Sequence, residues 1–323
     1  VPLGYERMQR VDYVADDVAR FREGVLEHVV PVVSKLKERQ AKTLGVEEIM
    51  SWDSKVYSKT PPKPEGDLEW IEKQTQKAFT ALDDSLGGFY HKMYAGSFMD
   101  LAVREGKSGG GFCTGFPTYG MPYIFANFNG TQDDIRVLIH ELGHAFQCYQ
   151  SRNAEVIDYL WPTYESCEIH SMGLEFLVWP ELDHYFGESA DLFRTVHLIK
   201  SLDFLPYGVA VDHFQHLIYE NPEATPQERH DMWKETEKTY MPWTNYGDLA
   251  YPGKGARWQY QRHIYGMPFY YIDYTLALTC ALQLWVQSRT DFQDTMKRYV
   301  SLCTRGGNGA FRTLVQSAGL ISP

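Results

Sequence analysis

The run His140-Glu141-Leu142-Gly143-His144 constrains this chain more than any other stretch of it. Residues four apart share one face of an α-helix, so imidazoles at 140 and 144 converge on a single cation only if the segment is helical. The carboxylate at 141, beside the first imidazole, is then placed to act as general base toward an attacking water. The flanks agree with a helix. Thr131 is a capping residue and Asp133 and Asp134 fall in the first turn, where carboxylates favour the helix dipole. Ile135, Leu138, Ile139, Leu142, Phe146 and Tyr149 follow at helical spacing and predict a buried stripe.

A catalytic zinc needs a third protein ligand and an open position. Position 150 is Gln, so the extended HExxHxxGxxH arrangement is absent and the ligand must come from elsewhere. Downstream, Tyr164 to Trp179 reads as a second helix, bracketed by Pro162 and Pro180, with Glu165, Glu168 and Glu175 close to Ser171 on the helical wheel. Three acids on one face of an otherwise apolar helix want a cation or solvent. Glu168 is the expected ligand, with Glu165 as its supporting partner or substitute.

Composition narrows the classes of function. Thirty-one Lys and Arg against 42 Asp and Glu give 323 residues a net charge of −11, which argues against a nucleic-acid or anionic-membrane partner. No apolar run reaches the 18 or so residues of a membrane span. The five cysteines are scattered and odd in number, so neither a disulfide framework nor a cysteine zinc knuckle is readable, and a reducing, cytoplasmic setting is expected. The chain opens Val1-Pro2-Leu3, which reads as a processed or shortened piece.

The expected fold class is mainly α, a helical zincin-type catalytic domain over residues 1–323 with a small β-sheet before the HExxH helix. Asp16 to about Leu44 is apolar at spacings of three and four with a kink expected at Pro31, and Asp67 to Leu86 reads as a helix closed by Gly87-Gly88. Thr225-Pro226-Gln227-Glu228 is a helix start with cap, proline and reciprocal acid in place. Between Gly106 and Gly130 glycines and prolines break helix, and Tyr123 to Phe128 reads as a strand. That strand reads equally as one with a free edge that would pair an extended peptide or as an ordinary strand inside the small sheet. The stretch Asp100 to Glu105 reads as helix-like.

His140-Glu141-Leu142-Gly143-His144 together with Glu168-Ile169-His170-Ser171 resembles the HExGH…ExxS pattern of the thimet oligopeptidase / oligoendopeptidase F family of zinc peptidases, closest to the bacterial oligoendopeptidase F branch. Gly106-Lys107, the run Pro122 to Phe128 and the block from His263 to Tyr274 agree with it. The resemblance implies one Zn²⁺ per chain held by His140, His144 and Glu168, with Glu141 as base, and short peptides as substrates cut at internal bonds. It also implies that His263 and one or both of Tyr271 and Tyr274 bind the substrate carbonyl and oxyanion. Family members are longer, with a helical N-terminal half, so this sequence resembles the catalytic C-terminal part. Two alternatives stay open: a zinc-binding fragment that needs its other half, and a zinc carboxypeptidase or peptidyl-dipeptidase. Oligomeric state is not legible.

Other signals carry less. Gly106-Lys107-Ser108-Gly109-Gly110 fits GxSxG without the strand–turn–helix setting a nucleophile elbow needs, and as a P-loop ending it lacks the required first glycine, Leu101 standing there. His213 and His216 sit one turn apart, as an exposed helix face or a second metal pair. Cys148 lies two turns from His140, too far for the same ion. Cys167 precedes the expected ligand and reads as a small buried hydrophobe or an oxidation-sensitive thiol. Gly253-Lys254-Gly255 and the glycines at 306, 307 and 309 read equally as gating loops or as connectors.

Overall fold

The computed structural model describes all residues from 1 to 323. The helices in chain order are α1 (Pro2–Arg7), α2 (Ala15–Gly24), α3 (Val30–Leu44), α4 (Leu68–Leu82), α5 (Asp84–Ala95), α6 (Gln132–Gln150), α7 (Tyr164–Leu177) and α8 (Asp183–Phe186). They continue as α9 (Ala190–Glu220), α10 (Pro226–Tyr240), α11 (Ala250–Gly253), α12 (His263–Gly266), α13 (Tyr271–Ser288), α14 (Phe292–Arg305) and α15 (Phe311–Ser317). Three strands, β1 (Met99–Ala102), β2 (Phe112–Phe116) and β3 (Met121–Phe128), complete the fold. The mainly helical class with one small sheet before the HExxH helix is therefore the observed one. No helix is long and apolar enough to cross a membrane.

The chain divides into two compact units, one of residues 1–60 and 195–276, the other of 61–194 and 277–323. In the first, α2 and α3 are joined by a π-helical turn, Val25–Val29, placed directly before Val30-Pro31. Proline cannot supply the N–H an α-helix needs there, and the wider turn absorbs the defect that a kink was expected to mark. Buried ion pairs hold this unit: Arg10 to Asp273 at 2.5 Å, Arg22 to Asp212 at 2.6 Å and Lys37 to Asp203 at 2.7 Å. Breaking such a pair leaves an uncompensated charge, so each pins its helices far more firmly than a surface pair does. The expected start of α10 is present, with the Glu228 carboxylate accepting from the Thr225 N–H at 2.7 Å.

The second unit carries the sheet. β3 lies in its middle, parallel to β1 and antiparallel to β2. One expectation is corrected here and one alternative is decided. Residues 99–102 are a strand, not the start of a helix. β3 is paired on both sides and is an ordinary strand inside the sheet, so the free edges belong to β1 and β2. Lys107, whose side chain is almost wholly buried, donates from Nζ to the carbonyls of Asp100 and Ala102 on β1 and of Ala126 on β3. Its role is to stitch the sheet, which accounts for the lysine without any phosphate.

Gly87 and Gly88 do not end a helix. The break falls at Asp83, whose extended backbone and side chain cap α5 by accepting from the Ser85 and Leu86 N–H groups at 2.8 and 3.2 Å. Gly87 lies inside α5 with Thr80 of α4 pressed against it. The two glycine turns are both seated on neighbours: the Gly307 N–H donates to the Tyr159 carbonyl at 2.8 Å, and Gly255 packs on the His230 carbonyl of α10.

Candidate metal centre and catalytic site

The strand β3 delivers the chain into α6 through Asn129-Gly130-Thr131, and Asp134 fixes that entry. Its carboxylate accepts from the N–H groups of Asn129, Gly130 and Thr131 at 2.6 to 3.1 Å, satisfying donors the helix start would leave unpaired. The Thr131 hydroxyl turns to Asn129 instead. All six stripe residues read from the sequence are buried. With that face committed to the core, His140, Glu141 and His144 are left to the side facing α7 and β2.

Two close approaches complete the arrangement. Gly143 lets α6 touch the backbone of α7, since a Cβ there would lie 2.6 Å from both the His170 carbonyl oxygen and the Ser171 Cα. Gly115 lets β2 lie on α6, where a Cβ would meet Cys148 Sγ at 2.9 Å. At the other end of β2, a Cβ on Gly111 would sit 3.6 Å from Glu141 Oε1. The edge strand thus runs along α6 and passes the Glu141 carboxylate.

Glu168 enters from α7. Its Oε2 lies 3.3 Å from His140 Nε2 and 3.5 Å from His144 Nε2, and the three donor atoms fall within 4.8 Å of one another. Donors about 3.3 Å apart are what a tetrahedral ion with ligand bonds of about 2.0 to 2.1 Å requires. The Ser171 hydroxyl donates to the same Oε2 at 2.9 Å and holds the carboxylate in place. Glu141 Oε2, buried in the same unit, has no hydrogen-bond partner in the protein. An orphaned carboxylate oxygen beside three converged donors fits a site built for a metal ion and a polar reactant.

The electrostatics follow from burial and neighbours. Burial works against the His140 imidazolium, yet hydrogen bonds to Glu168 and Glu175 raise its pKa to about 10. Burial also works against the Glu168 carboxylate, and His144 and His140 nevertheless hold it well below the usual range. Glu141 goes the other way: burial raises it, more than the charges on His140 and His144 lower it.

The supporting partner of the first imidazole is Glu175. Its Oε1 lies 2.7 Å from His140 Nδ1, which leaves Nε2 as the metal-facing atom. Glu165 is buried on α7 and is not among the three grouped donors. Glu175→Gln is expected to lower metal affinity by about 10- to 100-fold while leaving the fold intact, because a carboxylate behind a ligating histidine sets its tautomer and basicity. Competition with a chelator measures this, and an unchanged affinity would remove Glu175 from the site.

His263, Tyr271 and Tyr274 lie in the other unit and gather there with one another. The imidazole centroid of His263 is 5.2 Å from the Tyr271 ring and 5.9 Å from that of Tyr274, both edge-on. Tyr271 is buried, and burial with Tyr207 and Tyr274 nearby pushes its phenol far above the ordinary range. It stays a hydrogen-bond donor at any working pH. Of the discounted signals, His216 Nε2 meets the Tyr5 hydroxyl at 3.2 Å and His213 Nδ1 meets the Tyr240 hydroxyl at 3.2 Å, so both histidines are tied into the packing of their helix. Cys148 is buried and its thiol is pushed up to about 12. Cys167 is half-buried, its Sγ 3.4 Å from the Pro162 carbonyl.

An HExxH helix completed by a glutamate from the next helix, beside a three-stranded sheet, defines the helical metalloprotein class to which zinc peptidases of this geometry belong. The chain belongs to peptidase family M3, whose model matches residues 5–320. It is 47% identical to PZ peptidase A, solved with an inhibitor, over 100% of this chain and 58% of that one, with a TM-score of 0.97. A Bacillus anthracis strain Ames protein assigned as an oligoendopeptidase F is 45% identical over 100% of this chain and 55% of that one, with a TM-score of 0.90. Oligopeptidase PepF of Bacillus subtilis strain 168 is 21% identical over 304 residues, 90% of this chain and 44% of that protein. The chain therefore spans about half the length of these relatives.

Proposed function

We propose that this chain is the catalytic part of a zinc-dependent oligopeptidase that hydrolyses internal bonds of short peptides. The observation that carries the reading is the convergence of His140 Nε2, His144 Nε2 and Glu168 Oε2 beside a buried, unpartnered Glu141. His140, His144 and Glu168 hold the ion. Zinc, when bound, supplies Lewis acidity toward the scissile carbonyl and the attacking water.

The chain's own residues do the rest. Glu141 takes a proton from the water as it attacks and gives it to the leaving amine, a transfer helped by a carboxyl whose pKa burial has raised toward the working range. His263, with Tyr271 or Tyr274, donates to the carbonyl oxygen as it gains charge. The outer edge of β2 pairs an extended peptide by strand addition, which brings a backbone carbonyl alongside Glu141. Family membership supports peptide substrates.

The deciding experiment is cleavage of a short internally quenched peptide by the 323-residue chain, with and without a zinc chelator. Cleavage abolished by the chelator and restored by zinc is the expected result. Folded, zinc-loaded protein with no turnover would overturn the reading and leave a metal-binding fragment. A C-terminally amidated version of the peptide should be cut equally well; refusal of it would indicate a carboxypeptidase.

A further inference from the structure

We infer that Gln261 is a positioning residue that fixes the tautomer of His263, keeping the ring hydrogen on Nε2. The inference rests on the proposal that His263 donates to the substrate carbonyl, and supplies the reason that it donates from that nitrogen.

Gln261 Nε2 lies 2.6 Å from His263 Nδ1. A side-chain amide nitrogen carries two hydrogens and accepts none, so Nδ1 must contribute its lone pair. A neutral imidazole with Nδ1 as acceptor carries its hydrogen on Nε2. The orientation of the amide is set in turn by Tyr207, whose hydroxyl donates to Gln261 Oε1 at 2.8 Å. Tyr207 keeps its proton, and so has a hydrogen to give to Oε1, because burial pushes the phenol up to about 12. The relay then runs from Tyr207 through Gln261 to His263.

The backbone keeps this relay in place. The Gln261 N–H donates to the Trp258 carbonyl at 3.0 Å and the Gln261 carbonyl accepts from the Ile264 N–H at 3.2 Å, so the residue is held on both sides at the entry to α12. Around the imidazole, the rings of Tyr270, Tyr271 and Tyr274 stand with centroids at 5.8, 5.2 and 5.9 Å. These rings limit the tilt of His263 but do not choose between its two neutral forms. Gln261 chooses. Sequence alone marked His263 and gave no weight to a glutamine two residues earlier, because such a residue looks like any other polar loop position.

The test is the ¹⁵N signature of the His263 ring in the full chain, assigned by its loss in His263→Asn, read above the pH at which imidazole titrates. The expected spectrum has a protonated Nε2 and an unprotonated Nδ1. Gln261→Glu replaces the donor by an acceptor of the same shape, so the hydrogen is expected on Nδ1 and kcat on a short quenched peptide to fall about a hundredfold with little change in KM. Tyr207→Phe releases Oε1 and is expected to give a mixture of the two forms. A wild-type ring protonated on Nδ1, or an unchanged signature in both variants, would overturn the inference. A signature that moves as expected while turnover stays constant would uphold the role of Gln261 and discard His263 as the donor.

Discussion

Glu141→Gln is expected to retain its metal and to lose peptide hydrolysis by about a thousandfold. Gln has the shape of Glu and can still sit beneath β2 near Gly111, but it cannot take a proton. General acid–base catalysis by a positioned group is worth about 10² to 10⁴ in rate, and here one carboxylate serves both the attack and the departure of the amine. Metal retention follows from geometry: the grouped donors are His140, His144 and Glu168, and Glu141 is not one of them. The variant also separates two explanations of an inactive protein, since a lost ligand would empty the site and a lost base would not. Measurement of metal content beside kcat on one preparation decides the matter. Turnover within tenfold of wild type would remove Glu141 from the mechanism.

How far the sequence foretells this structure depends on whether a feature is local. The HExxH helix was legible because its periodicity, its entry acids and its two histidines all lie within about five turns. Glu168 was legible as one of three acids on the next helix. That Glu175 would be the partner of His140 was not, because only the crossing of α7 over α6 brings the two side chains together. Sheet order was not legible for the same reason: β3 reads as a strand from its own residues, but nothing within it says that β1 and β2 will flank it. The short strand at 99–102 was obscured by the polar residues that follow, and only its pairing with β3 makes it a strand. Gly87 and Gly88 were misread as a stop, although tertiary contact with Thr80 is what calls for a small residue at 87. The grouping of His263 with its tyrosines was visible as a motif, while the glutamine that orients it was not.

Gly143→Ala is expected to destabilise the protein by about 3 kcal/mol, at the upper end of the range for overpacking, and to weaken metal binding at least about tenfold. Helix propensity alone predicts the opposite sign, since Ala in a helix interior is favoured over Gly by about 1 kcal/mol. The clash decides, because a Cβ at 143 would stand 2.6 Å from two backbone atoms of α7, and backbone inside a packed helix cannot swing aside as a side chain can. The helices would have to part, and Glu168 would move with α7 away from His140 and His144, whose Nε2 atoms it faces at 3.3 and 3.5 Å. A matched control exists in Gly88, which is also inside a helix and has nothing within 4 Å of the position its Cβ would take. Gly88→Ala should stabilise by about 0.5 to 1 kcal/mol and leave metal affinity untouched. Opposite shifts of the two variants in denaturant unfolding, with metal loss confined to Gly143→Ala, would show that the third residue of the HExxH spacer is small because the third ligand arrives on a helix that must touch it. A Gly143→Ala protein as stable and as metal-loaded as the wild type would show that α6 and α7 do not depend on that contact.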